Sequence, residues 1–226
     1  MSDSPTYLFA AKDKPSLPIR QVPLTVANAD NLKGYGFLVD DPDQCEVEIV
    51  TWPAQGWRPI DAGTGNEGGT VEGIFHCHWD GDVLMGRNDA VAGHYVLGWS
   101  QDPQQAQTDT QSAPREQVLL WHMNYHPDGG QMFFPQQNKP FVVPLALPGD
   151  DLQPEQIVAF WCDGSKGLCI HPNIWHEGIF PCHDQQSFRD RQGKVHGRVS
   201  CDLGQEFGCY LGVPLPIDRP TNHPTD

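Results

Sequence analysis

The 226-residue sequence has no apolar run approaching the ~18 residues that a membrane-crossing helix needs. Its start, "MSDSPTYLFAAKDK", lacks a basic stretch leading into a long apolar one, so no signal peptide is expected. Cations are scarce: 14 Lys and Arg against 29 Asp and Glu, a formal net charge of −15. So acidic a surface repels phosphate backbones, which argues against nucleic acid and anionic membranes as partners. An anionic small molecule would need a local positive centre: a metal ion, Arg58, Arg87, Lys139 or Lys166. The seven cysteines include no CxxC pair and are odd in number, which points to free thiols in a reducing, cytoplasmic compartment. There is no Gly-rich phosphate loop, nucleophile elbow or Ser/His/Asp signature, and no repeat of fixed period.

Turns and short strands are plentiful instead. Gly (23) and Pro (21) are abundant. They separate short runs rich in Val, Ile and aromatics: "YGFLVD", "CEVEIVTW", "GTVEGIFHCHW", "GDVLMGR", "AGHYVLGWS", "VLLWHMNYH", "GQMFFP", "FVVPLALP", "QIVAFWC", "GLCIHP" and "EFGCYLGVPL". This is the grammar of an all-β protein, a barrel or sandwich with few short helices. Residues 101–117 and "DQQSFRDRQGKVHGR" are polar and read as loops. We expect an extended Pro-rich arm over residues 1–30, a single domain over 31–218 and a flexible tail over 219–226.

The chemistry-bearing residues concentrate in two stretches, "WHMNYHPDGGQMFFP" and "GLCIHPNIWHEGIFP". On a strand, His122, Asn124 and His126 share one face, and the turn at 127–130 folds Gln131 back toward His126. His171 and His176 flank a second turn. If the two hairpins face one another, imidazoles and an amide line a single pocket, suited to Zn, Ni, Mn or Fe. A third stretch, "FHCHWDGD", puts His76 and His78 on one strand face and is a second choice for a metal. His94, His183, His196 and His223 lie in polar or turn-like segments and read as solvated. Trp52, Trp57, Trp99 and Trp161 read as core or pocket wall.

Asn124-x-His126-x4-Gln131 has the form of the first cupin metal motif, and His176 falls where the second places its ligand. More narrowly, "HPDGGQMFFP" with "GLCIHPNIWHEGIFP" resembles the ureidoglycolate lyase family over roughly Gly34 to Pro181. Asn173 and Trp175 match with the histidines and Gln131. The sequence departs from the family at His122 and Asn124, where carboxylates are usual, and at Pro172 and Glu177-Gly178. The resemblance implies a cupin-like β-barrel (jelly roll), a homodimer, a divalent metal and a carbon–nitrogen lyase of purine metabolism. Such an enzyme splits a small ureido-hydroxy acid into glyoxylate and urea.

Elimination from such a carboxylate substrate needs a base for the hydroxyl proton and an acid for the leaving nitrogen. The expected assignment is His126, Gln131 and His176 for the metal. His122, His171 and Glu177 move protons, and Asn124, Asn173, Trp175 and Arg87 hold substrate. Two other readings stay open: a different metal-dependent cupin enzyme (isomerase, hydrolase or dioxygenase), or a non-catalytic cupin that binds an acid.

Overall fold

A computed structural model describes residues 14–65 and 67–220. Residues 1–13 of the expected arm, the end of the expected tail and His223 lie outside the described residues. The architecture is all-β and cupin-like. Among the described residues there is one short α-helix, α1 (Leu203–Phe207), and one 3-10 turn at Pro154–Gln156.

The strands form two sheets that share one core. In chain order, the larger sheet takes β1 (Ile19–Gln21), β3 (Gly36–Val39), β4 (Glu67–Asp80), β5 (Val83–Asn88), β6 (Gly93–Trp99), β7 (Gln117–Leu120), β9 (Gln131–Pro135), β12 (Gly167–Ile170), β15 (Gln185–Val195) and β17 (Tyr210–Pro214). Its spatial order is β1-β17-β7-β6-β5-β4-β15-β9-β12-β3. The smaller sheet takes β2 (Leu24–Val26), β8 (His122–Tyr125), β10 (Phe141–Ala146), β11 (Val158–Cys162), β13 (Trp175–His176), β14 (Phe180–Pro181) and β16 (Val199–Asp202). It runs β16-β8-β13-β10-β11-β2, with β14 beside β10. Neither path closes on itself.

Alternation decides what each strand shows the interior. On β4, Phe75, Cys77 and Trp79 enter the main core, and Leu84 and Leu97 of the neighbouring strands join them. Val83, Met85, Val96 and Trp99 pack on the opposite face in a second cluster. All seven cysteines are buried free thiols.

Several local expectations change. "DQQSFRDRQGKVHGR" is not a loop but mostly the 11-residue strand β15, held between β4 and β9. Its alternation is real but polar on both faces: Phe188, Asp190 and Gln192 are buried, while Arg189 and Arg191 pair with Glu72 outside. "CEVEIVTW" makes only an isolated bridge, Ile49 to Gly129. It leads to Trp52, which is 93% exposed, and on to Trp57, 66% exposed; Trp99 and Trp161 are buried as expected. The start of "EFGCYLGVPL" belongs to α1, and the strand begins at Tyr210.

Residues 101–116 are a loop, with Gln117 opening β7, but an organised one. At the turn between β4 and β5, the buried Asp82 carboxylate accepts backbone N–H groups from Ser112 (2.9 Å), Ala113 (3.1 Å) and Gln107 (3.1 Å). The Gln101 amide (2.9 Å) and the Ser112 hydroxyl also donate to it. Burial alone would raise its pKa. The donors win and lower it from 3.8 to about 2. A depressed carboxylate stabilises the fold above its unfolded pKa, and that contribution fades as pH falls through the folded value. The shift corresponds to about 2 kcal/mol at neutral pH. Asp82→Asn should therefore lower the midpoint of urea unfolding at pH 7 and leave it nearly unchanged near about pH 2. Equal unfolding curves at pH 7 would show that the loop is held by something else.

Candidate functional site

Buried polar residues gather at one end of the larger sheet's inner face. Gln131 on β9 and Gln192 on β15 are directly opposite one another, and Asp190 and Asn88 lie beside them. All four are at most 5% exposed. Their hydrogen bonds have a fixed direction. The backbone N–H of Ala90 donates to Asn88 Oδ1 (2.9 Å), so Asn88 must turn its amide N–H toward Asp190 Oδ2 (2.9 Å). Gln131 Nε2 then donates both to Asp190 Oδ1 (2.7 Å) and to Gln192 Oε1 (2.8 Å). Both amide hydrogens of Gln131 are thus used, which leaves its oxygen for other partners. Gln192 Nε2 is a buried donor with no partner among the described residues. Burial pushes the Asp190 carboxyl up to about 6, against the pull of the bonds from Gln131 and Asn88.

Across from this network stand the imidazoles. His126 and His176 have ring centroids 5.0 Å apart. His126 Nδ1 donates to the Gly197 carbonyl (2.8 Å) and His176 Nδ1 to the Ile174 carbonyl (2.7 Å). A carbonyl can only accept, so both rings carry their proton on Nδ1 and keep a lone pair on Nε2. His176 Nε2 is buried without a partner among the described residues. A third ring, His196, stacks on His126 at 3.5 Å and 14°. Burial lowers all three pKa values. His126 goes well below 6.5, with His196 and His176 adding to the effect. His176 is lowered too, and His196 falls to about 3.

The three imidazoles with Gln131, Gln192 and Asn88 line one small cavity of about 70 Å³, together with Asn124, Glu177, Tyr95 and Arg198, while Asp190 stands behind the wall. Two links hold its walls in register. Asn124 is paired with His176 across the strands and donates to its carbonyl (3.3 Å). Asn173, at a left-handed φ of 66° that Asn tolerates, turns its backbone N–H to the His126 carbonyl (2.9 Å). Glu177 faces the cavity and is bonded through Oε2 to His122 Nδ1 at 2.6 Å. Arg198 supplies the positive charge, its Nε held by Asp61 (2.7 Å).

Sequence reasoning brought together His122, Asn124, His126, Gln131, His176 and Glu177, and these are neighbours in the structure. Other expected residues stand apart. The His171 ring packs on the outer Phe37, 5.8 Å between centroids, because the residues after Ile170 continue its strand's alternation outward. Trp175 is fully buried, edge-on to Tyr125 and bonded to the Gly149 carbonyl (2.7 Å). His76, His78 and Arg87 line a separate groove on the outer face of the larger sheet, of about 410 Å³. There His76 pairs with Asp89 (3.0 Å), as does Arg87 (3.1 Å). The remaining candidate cations are also elsewhere: Lys139 lines that same outer groove, Arg58 is paired with Glu206 and Lys166 with Asp40.

His196, read as solvated, is instead a cavity wall, and Arg198, Gln192 and Asp190 were overlooked. All four belong to the segment taken for a loop. Its even-numbered polar positions carried the signal.

Among the described residues, no group of three or more His, Cys, Asp or Glu side chains could hold a metal ion. What exists is a neutral donor set: two Nε2 lone pairs and the Gln131 amide oxygen. Imidazoles whose Nδ1–H is fixed by a carbonyl have the outer-shell support typical of metal-ligating histidines, and the unpartnered His176 Nε2 fits that role. The set suits an imidazole-binding divalent ion. Long-range proton–nitrogen spectra should show His126 and His176 as neutral rings protonated at Nδ1 at about pH 7. An imidazolium signal from either ring there would break this description.

Residues 95–202 match the family described as ureidoglycolate lyase. The match covers every cavity residue named above except Asn88. Among curated relatives, the ureidoglycolate lyase of Azotobacter vinelandii is 36% identical over 70 residues, 30% of this chain and 42% of that protein. That of Escherichia coli O139:H28 is 34% identical over 95 residues (41% and 59%). That of Pseudomonas savastanoi pv. phaseolicola is 32% identical over 87 residues (38% and 49%). The chain spans about half the length of the curated relatives it matches. The segment that supplies the histidines, the glutamines and Arg198 is thus the segment that is similar to the ureidoglycolate lyase family.

Proposed function

We propose that this chain is a carbon–nitrogen lyase that cleaves ureidoglycolate, or a close ureido-hydroxy acid, into glyoxylate and urea. The observation that carries the reading is the meeting of His126, His176, Glu177 and Arg198 on one buried cavity within the family-matched segment.

The reaction is an internal transfer that consumes no water. The carbinol hydroxyl loses its proton, its oxygen forms the aldehyde C=O, the C–N bond breaks, and the ureido nitrogen gains a proton. Arg198, the one Lys or Arg side chain on the cavity wall among the described residues, would hold the substrate carboxylate. Glu177 faces the cavity and is placed to take the hydroxyl proton and return it to the leaving nitrogen. His122, bonded behind it, orients the carboxylate and shares the proton's charge. Because the neighbouring imidazoles are held neutral, they do not repel Arg198 or compete for the proton as cations.

A divalent ion would be held by His126 and His176 through Nε2, with Gln131 Oε1 as third donor. When bound, it would supply polarisation of the hydroxyl or carboxylate oxygen.

No helix among the described residues is long and apolar enough to cross a membrane. Seven buried free thiols favour a reducing, cytoplasmic setting. The homodimer is proposed from the family resemblance alone.

The test is urea release from ureidoglycolate, with elemental analysis of the purified protein. His176→Ala should lose both metal and turnover. Glu177→Gln should keep the metal and lose about 10²- to 10⁴-fold in kcat, the usual worth of a general acid–base group. Full urea release in either variant would remove that residue from the assignment.

A further inference from the structure

The direction of the amide network has a consequence for the ligand. Ala90 N–H fixes Asn88, Asn88 fixes which way Asp190 is used, Asp190 fixes Gln131, and Gln131 consumes the Gln192 oxygen. Gln192 cannot flip: turning its amide over would set its N–H₂ against that of Gln131. It is 1% exposed, and its Nε2 is buried on the cavity wall with no partner among the described residues. A buried donor left without an acceptor is costly, so a chain that fixes one there gains only when an acceptor arrives.

We infer that Gln192 is the specificity-determining residue for the neutral end of the substrate, its Nε2 donating to the carbonyl oxygen of a ureido group. Asn88 and Asp190 are positioning residues that hold that donor in place. The inference rests on the lyase reading for the identity of the substrate. What Gln192 itself selects is an acceptor, a neutral C=O, over a donor of the same shape.

Two carboxylates separate these cases. Ureidoacetate is ureidoglycolate without its hydroxyl and cannot eliminate. Guanidinoacetate has the same outline, with a C=NH₂⁺ donor in place of the carbonyl. Calorimetric titration of the whole protein should show ureidoacetate binding at least about tenfold tighter than guanidinoacetate, or about 1.4 kcal/mol. Gln192→Glu keeps an acceptor for Gln131 but replaces the free donor with an acceptor, so the preference should reverse. Gln192→Met covers the case in which that buried charge unfolds the protein. It should weaken ureidoacetate about tenfold while glyoxylate, which has no ureido end, binds as before.

Equal binding of the two analogues by the native protein, or an unchanged preference in the folded variants, would overturn the inference. So would binding of neither analogue, or an equal loss of glyoxylate in Gln192→Met. Tight binding of ureidoacetate without urea release from ureidoglycolate would fell the lyase reading and leave the recognition by Gln192 standing.

Discussion

The candidate site depends on one backbone hydrogen. The amide N–H of Ala90 meets the side-chain oxygen of Asn88, and that single contact dictates the orientation of every amide up to the cavity. A carboxylate in the middle of the series, Asp190, has no way to donate when ionised, so it forces both flanking amides to present nitrogen. A core of this kind tolerates little partial change, because each polar group is satisfied only if its neighbour is oriented correctly. Neutral amides at three of the four places keep the cost of burial within what hydrogen bonds can offset. The carboxyl that stands alone among them is the one whose proton affinity burial raises.

The imidazole side of the cavity uses the same principle with different donors. Backbone carbonyls of Gly197 and Ile174 fix the protons of His126 and His176, so the electron pairs point where the chain directs them. Burial then keeps the rings uncharged. The cavity therefore combines one guanidinium, one carboxylate paired with His122, and a set of neutral donors and acceptors. That combination suits a small anion with an amide-like end better than a purely ionic or purely apolar ligand.

Much of this was legible in the sequence. Strand alternation placed His122, Asn124 and His126 on one face, and the turn at 127–130 returned Gln131 to them. The bet that two distant hairpins aim imidazoles into one hollow is met by His126 and His176, 5.0 Å apart. The third ring is His196 rather than His171. β15 escaped notice because hydrophobic alternation is the usual signature of a buried strand, and here Asp190 and Gln192 occupy inward places where Val or Ile would have announced one. His76, His78 and Arg87 failed in the opposite way. Their spacing is that of a shared face, but periodicity alone does not say which side of a sheet faces the core. Phe75 and Cys77 took the inner side.

The short strands β1 and β2 give the molecule an unusual seam. Ile19–Gln21 lies parallel to β17 at one border of the larger sheet, and Leu24–Val26 lies parallel to β11 at one border of the smaller. A ribbon of eight residues thus closes off a free border of each sheet, where exposed N–H and C=O groups would otherwise recruit another chain. Because Ile19 sits against Tyr210, the larger sheet cannot seal that border until the segment carrying Tyr210 has followed Ile19 out of the ribosome. Until then the nascent chain carries an unprotected strand, and its solubility during synthesis depends on how quickly β1 and β17 find each other.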